Sequence, residues 1–289
     1  MKFDHNFNLI NKTKSSRIYE CDNTLARLDF IDKTAIRVAL YKKGAQMLPT
    51  FTISPDNNLS HTGRDKLSSN GFKMYEPIED EKDGKEIFKL ENGIEISLDL
   101  HNFLLSYYKN GKRIFADRAP LAYNIDDEFG QGAYHYISRF DDEEIFGLGD
   151  KSGKINKRGK TYRIETADSM GYDAENTDPL YKHVPFYICK NDVQTYGIYY
   201  DTSNTSFIDL GREINNYYEH FKFFKSDDDY LVYYVFFGDT LSVLQQYNRL
   251  CGKQAFPPKW SFDYCASTMA YTDADNAEEE MDAFLDKIK

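Results

Sequence analysis

Residues 85–117 read KEIFKLENGIEISLDLHNFLLSYYKNGKRIFAD. Within them Ile94, Ile96, Leu98 and Leu100 alternate with polar residues, the period of two that turns one strand face to a core and the other to water. Asn92-Gly93 stands between EIFKL and IEISL, and Asn110-Gly111 between FLLSYY and RIFAD. A two-residue type I′ turn needs φ > 0 at both central positions, so each pair predicts a tight hairpin. The same alternation predicts further strands around Thr34–Tyr41, Tyr134–Ser138, Pro185–Cys189, Thr195–Tyr200, Phe207–Asp209, Tyr217–Phe224 and Leu231–Phe237. That density of short strands, broken by turn residues, predicts a mainly β chain built as an antiparallel β-sandwich over residues 1–239.

The pattern changes after Gly238. Thr240 precedes LSVLQQYNRLCG, in which Leu241, Leu244, Tyr247 and Leu250 fall at helical spacing and Gly252 supplies a stop. Residues 240–258 thus read as a connecting helix and a Pro257-Pro258 linker, where helix is forbidden. KWSFDYCASTMAY then reads as one buried strand, and Asp275 with Glu278 as a capping box opening a last helix. Ala277, Met281, Phe284, Leu285 and Ile288 give that helix an apolar face. One strand and one amphipathic helix cannot bury their own apolar faces, so residues 259–289 read as the first unit of a larger parallel β/α array, and the chain as an N-terminal piece of a longer protein.

Composition sets outer limits. Of 289 residues 41% are hydrophobic and 16% aromatic, with 23 Tyr and 21 Phe against one Trp, enough large amphipathic side chains for half-buried strands. A net charge of −11 repels phosphate backbones and anionic headgroups, which argues against nucleic-acid and membrane partners. The longest apolar run, Leu231 to Phe237, is far short of the roughly 20 residues of a membrane-spanning helix. The first residues, MKFDHNFNLINKTKSS, lack the apolar core of a secretory signal, so the expected location is cytoplasmic. There the cysteines at 21, 189, 251 and 265 are expected as free thiols and the sequons at Asn11, Asn58 and Asn204 as idle.

Most motifs that could carry chemistry fail on context. FGLGDKSG has the glycine spacing of a phosphate loop but opens no helix. The histidines at 5, 61, 101, 135, 183 and 220 form no i, i+4 pair and no Cys/His cluster in sequence, so no metal is expected. No G-x-S-x-G elbow is present. Acidic runs such as Asp141 to Glu144 read as solvated turns. TADSMGYDAENTDPLY, residues 166–181, differs in kind, because a polar loop of that length between two strands is long for a sandwich and such loops often carry function.

An ordered series of segments completes the reading: FGLGDKSGKINKRGKTYRIETAD, DPLYKHVPFYI, YGIYYDTSNTSFIDLG, and YYVFFGDTLSVLQQYNRLCGKQAFPPKWSFDYCASTMAYTD. With its Gly-x-Gly turn, its Pro-Leu-Tyr before a strand and its Gly-Lys-x-x-x-Pro-Pro-Lys-Trp lead-in, this series resembles glycoside hydrolase family 31, the α-glucosidase and α-xylosidase family, over roughly residues 140–289. The resemblance implies a sandwich beside a (β/α)₈ barrel, truncated here after its first strand and helix. It also implies retaining hydrolysis of terminal α-linked sugars by two carboxylates about 5–5.5 Å apart, with no metal or organic cofactor. Both carboxylates would lie on later barrel strands, so no catalytic residue is assigned and the chain alone is expected to be inactive.

For the sandwich the resemblance implies one role, an overhanging loop whose aspartate meets the sugar site, and the matching position is Asp168. Ser267, Met269 and Tyr271, at the C-terminal end of the first barrel strand, are further substrate-binding candidates. Trp260 reads as a packing anchor. The expected partners are an oligosaccharide or small α-glycoside and the protein's own barrel. The competing reading is a non-catalytic carbohydrate-binding or protein-interaction sandwich; an open reading frame continuing past Lys289 would favour the enzyme.

Overall fold

In a computed structural model describing residues 5–58, 60–127, 130–263 and 274–288, the expected alternation becomes eighteen strands, each paired antiparallel. The chain opens with β1 (Asn8–Lys12), β2 (Ser16–Cys21), β3 (Thr24–Asp32) and β4 (Ala35–Lys42). After the segment 43–77 comes a meander of β5 (Ile78–Lys82), β6 (Lys85–Lys89), β7 (Ile94–Asp99), β8 (Leu104–Lys109) and β9 (Lys112–Ala116). Then follow β10 (Tyr123–Asp127), β11 (Gly130–Ser138), β12 (Glu144–Gly147), β13 (Thr161–Ile164) and β14 (Phe186–Lys190). The last four are β15 (Thr195–Tyr200), β16 (Ser206–Asp209), β17 (Phe221–Ser226) and β18 (Tyr230–Gly238), leading into helix α1 (Thr240–Cys251).

The strands make one sheet of eight, ordered β1-β2-β3-β4-β18-β15-β14-β12, and two of five, the meander and β10-β11-β17-β16-β13. A bridge between Asp117 and Ile137 links the two smaller sheets. Side chains of all three meet in one core, where Leu28, Val38 and Tyr233 of the large sheet join Ile96, Leu105 and Phe224. This is the expected sandwich.

Asn110-Gly111 is the expected type I′ turn, with φ of 50° and 74° and Lys109 paired to Lys112. Asp83-Gly84 forms a second one, at 52° and 72°. Asn92-Gly93 is not: only Gly93 has positive φ, and a three-residue loop joins Leu90 to Ile94, whose carbonyl accepts from the Leu90 N–H at 2.8 Å. Packing explains the difference. A two-residue turn would set Glu91 opposite Ile94 on the core face, whereas the longer loop buries Leu90 there and leaves Glu91 to accept from Lys33 Nζ at 2.8 Å. The strand expected from Tyr217 begins at Phe221, because Asn215 Oδ1 accepts from the Tyr217 N–H and holds a turn there.

Helix α1 is capped by Asp239, whose carboxylate accepts from the Ser242 N–H at 2.7 Å. Its buried stripe is rotated from the one the sequence suggested. Val243 and Leu250 are buried and Tyr247 stacks on Phe186 with ring centres 3.9 Å apart, while Leu241 is exposed. Gly197 in β15 makes the seat, since a Cβ there would lie 2.6 Å from Val243 Cγ1.

Residues 1–253 form one compact unit, which takes in the helix expected to be a connector, and residues 254–289 form another. In the second, the strand expected over KWSFDYCASTMAY is absent from its first residues: Lys259–Phe262 form a 3₁₀ turn, because the Pro258 carbonyl is satisfied locally by the Ser261 N–H and hydroxyl. Trp260 is exposed there. Ser267, Met269 and Tyr271 lie outside the described residues. Helix α2 (Ala277–Ile288) covers the expected apolar positions but starts from Asn276, whose carbonyl accepts from the Glu280 N–H at 3.1 Å, rather than from a cap at Asp275; Met281, Leu285 and Ile288 are exposed.

The segment 43–77 packs on the outer face of the large sheet through Arg37 of β4, which is fully buried. Its Nε and Nη2 donate to Asp29 Oδ2 at 2.8 and 2.7 Å, Nη1 donates to the carbonyls of Lys66 and Ser68, and Nη2 also donates to that of Leu67. All five N–H groups thus have acceptors, the condition under which a buried guanidinium is tolerated. Replacing it by Leu should cost about 3–5 kcal/mol in urea unfolding, as loss of one partner of a buried ion pair does, and should speed amide exchange across 64–72. Arg37→Lys should recover little of this, because one ammonium cannot reach all of these acceptors.

Candidate functional site

The polar loop singled out in the sequence joins β13 to β14 and is held from beneath. Lys151 Nζ, buried, donates to Asp178 Oδ1 at 2.7 Å and to the carbonyl of Arg163, while Asp178 Oδ2 accepts from the Arg163 N–H at 2.6 Å. One carboxylate therefore ties the returning limb of the loop to the end of β13. Above it the Ala167 N–H donates to the Leu180 carbonyl at 3.0 Å, with Leu180 buried, so the two limbs run side by side.

That pairing brings Asp168 and Tyr181 together. Asp168 is exposed, and its Oδ1 accepts from the Tyr181 hydroxyl at 2.8 Å. The hydrogen bond to a carboxylate, aided by its charge, pushes the Tyr181 phenol pKa upward, so the phenol stays protonated and keeps donating. The loop tip is a local construction: Asp173 Oδ1 accepts from the N–H groups of Glu175 and Asn176, and Thr177 Oγ1 from the Asp173 N–H. Met170 and Tyr172 stand exposed beside it.

At the base of the loop is a recess of about 380 Å³ lined by Thr50, Thr52, Glu165, Thr166, His183, Asp201, Thr202 and Ser203, with the exposed ring of Phe51 at its edge. Asp201 is buried, and Lys66 Nζ, also buried, meets its Oδ1 at 3.0 Å and its carbonyl at 2.7 Å. Among the described residues its Oδ2 has no hydrogen-bond partner. Asp228 orders the neighbouring strand connection, accepting from Asn204 Nδ2 at 2.7 Å and from the Thr202 hydroxyl. Hydroxyls, carboxylates and a ring are the surface that a polyhydroxylated ligand can use, because its hydroxyls both donate and accept.

Asp168 is thus the one sequence-predicted site residue that lies among the described residues, and the structure gives it a neighbour, Tyr181, that spacing in the sequence does not single out. Lys151, Asp178 and Asp201 escaped because their roles depend on pairings between segments. The glycines of FGLGDKSG serve packing. Gly147 has a φ of 118°, and a Cβ there would lie 2.7 Å from the Phe186 carbonyl oxygen, so the strand edge requires glycine. Folding also brings together residues that the linear spacing keeps apart: the ligating atoms of His5, Cys21 and Asp22 lie within 4.8 Å of one another.

Comparison with known proteins gives concordant matches. The family model for the glycosyl hydrolase 31 N-terminal galactose mutarotase-like domain matches residues 25–209. Alpha-glucosidase 2 of Bacillus thermoamyloliquefaciens is 23% identical over 293 residues, covering 98% of this chain and 33% of its own length. An alpha-glucosidase of Saccharolobus solfataricus is 30% identical over 142 residues, 48% of this chain and 20% of its own. Among solved structures, a GH31 dextranase of Flavobacterium johnsoniae in complex with isomaltotriose superposes with a TM-score of 0.74 at 23% identity, over 90% of this chain and 30% of that one. The chain therefore spans a fifth to a third of the length of these three relatives.

The loop's support is open to a direct test. Asp178→Ala removes the acceptor of both the buried ammonium and the Arg163 N–H, and should cost about 1.5–3 kcal/mol, as hydrogen bonds to charged groups do. Limited proteolysis should then cut within 165–182 faster than in the parent, while Tyr181→Phe should stay within about 0.5 kcal/mol of it.

Proposed function

The chain belongs to the family of glycosyl hydrolase 31 N-terminal galactose mutarotase-like domains, and from that premise we propose that it is the N-terminal part of a retaining α-glycosidase acting on terminal α-linked sugars. In this reading residues 259–289 begin the catalytic barrel, and the loop 165–185 helps to shape the substrate site. The observation that carries it is Asp168, an exposed carboxylate on a polar loop whose two limbs are pinned to buried groups.

Its part in the reaction follows from elementary chemistry. A sugar hydroxyl is a donor, and a carboxylate is an acceptor that keeps its charge when a phenol donates to it. With one oxygen engaged by Tyr181, Asp168 has its remaining lone pairs to offer to a hydroxyl of the bound substrate. Such a contact positions the sugar and leaves bond cleavage to the two carboxylates that the reading places on later barrel strands. No cofactor enters this scheme. The names of the matched relatives, two of them α-glucosidases, and the hydroxyl-lined recess beside the loop support a saccharide as substrate class.

Two measurements check the reading. Purified 289-residue chain should leave chromogenic α-glucosides intact, and turnover lost on substitution of an aspartate within this chain would contradict it. In the longer enzyme, Asp168→Ala should lower kcat/KM for a disaccharide while changing the stability of the present chain by no more than about 0.5 kcal/mol. Unchanged disaccharide kinetics together with a clear loss of stability would assign Asp168 to holding its own loop.

A further inference from the structure

The donor groups of His5, Cys21 and Asp22 converge from two segments that lie sixteen residues apart in the chain. Cys21 ends β2, and Asp22 follows at the hairpin apex with a φ of 50°. Its Oδ2 lies 3.8 Å from Cys21 Sγ. His5 reaches them from the segment before β1, and its backbone is fixed from both sides by Asn102. Its N–H donates to Asn102 Oδ1 at 3.0 Å, and its carbonyl accepts from the Asn102 N–H at 2.7 Å. Asn102 is itself anchored through Nδ2 to the Pro120 carbonyl. The three groups open on a recess of about 300 Å³ whose wall includes Phe7, Leu40, Leu121 and Tyr123.

We infer that His5, Cys21 and Asp22 form a site for a thiophilic divalent cation of the zinc type. Imidazole, thiolate and carboxylate are the three protein donors that zinc accepts, with bonds of roughly 2.3 Å to sulfur and 2.0–2.2 Å to nitrogen and oxygen. Two donors on one tetrahedral ion then stand roughly 3.3–3.7 Å apart. The Cys21–Asp22 separation is already near that range, and the 4.8 Å limit on the set leaves only side-chain adjustment to close it. The thiolate selects against magnesium and calcium, which take oxygen ligands. Binding transfers the Cys21 proton to solvent, and the fourth position faces the recess, where water completes the shell. Lys42, which also lines the recess, donates to Thr24 Oγ1 at 3.2 Å and offsets the negative charge of the ligands.

The consequence is structural. The ion links the N-terminal segment to the β2–β3 hairpin across the end of the large sheet. The site is independent of the substrate reading, because it uses neither the loop 165–185 nor the recess at its base.

The test is cobalt titration of the chelator-treated full chain. One Co²⁺ per chain should give a near-ultraviolet thiolate-to-cobalt charge-transfer band, and Zn²⁺ should abolish it. Cys21→Ser should remove the band, Cys251→Ser should keep it, and His5→Gln should lower Zn²⁺ affinity at least about tenfold, the loss already typical of outer-shell partners. A wild-type spectrum without the thiolate band, or one unchanged in Cys21→Ser, overturns the proposal. Should Cys21→Ser fail to fold, alkylation resolved by peptide decides with the unaltered chain. Peptide-resolved labelling follows Cys21 by itself, apart from Cys189, Cys251 and Cys265. Zn²⁺ should slow its labelling severalfold; labelling indifferent to Zn²⁺ overturns the site.

Discussion

Strand β18 has to bury both of its faces, and the arrangement of the first unit follows from that. Leu231, Tyr233, Val235 and Phe237 point into the sandwich, while Tyr230, Val232, Tyr234 and Phe236 point away from it. A strand at the edge, or a sheet with one wet face, would leave four large apolar side chains in water. At roughly 1.5–3 kcal/mol for each fully buried apolar side chain, that loss would rival the whole stability of an ordinary domain. The large sheet therefore carries a second layer, made of α1 and the segment 43–77, and this layer also supplies part of the wall beside the candidate site, through Thr50 and Thr52.

The second layer needs more than apolar contact, since the described residues of the segment 43–77 form no strand and their carbonyls must find donors. Arg37 satisfies three of them from within the sheet, and Lys66, on the segment so fixed, reaches Asp201 at the end of β15. Buried charge therefore runs from Asp29 through Arg37 to the backbone of 66–68, and from Lys66 to the recess. Such pairs add little net stability over apolar packing, but they restrict register, because few alternative alignments satisfy every donor. Tyrosine does the same inside the sandwich. The Tyr123 hydroxyl bonds Asp117 and the Tyr233 hydroxyl, and His135 bridges Asp117 and Tyr200, so the tyrosine-rich composition becomes a hydrogen-bonded core.

What was legible in the sequence divides along the same line. Alternation found Thr195–Tyr200 to the residue and Asn110-Gly111 by turn type, because each depends on local spacing. It missed β1, which is exposed throughout, and β2 and β3, whose faces are broken by Arg17 and by Arg27 and Asp29, charges that read as solvated in sequence but are buried or paired in the fold. It rotated the face of α1 because Val243 is seated by Gly197 of another element. In the candidate site, Asp168 came from resemblance and loop length. Lys151, Asp178, Asp201 and the His5–Cys21–Asp22 group depend on contacts between distant segments, which no spacing rule encodes.

The choice of partner for Asp168 bears on what the loop can do. Had a lysine or arginine faced it, the carboxylate would be held as an ion pair, and a sugar hydroxyl would have to compete with a full charge for its oxygens. A phenol fixes the side chain while leaving the negative charge in place. Beneath it, the charge that needs neutralising is Lys151, and it is met by Asp178 on the returning limb, where no ligand is required. The loop thus separates its two electrostatic tasks by depth: an ion pair below for rigidity, and a singly engaged carboxylate above. A side chain ordered by its support yet only partly committed loses little entropy on binding. That is the arrangement a positioning residue at the rim of a sugar site needs, and it is why Asp168 with Tyr181, rather than the acidic runs elsewhere on this strongly acidic surface, carries the functional reading.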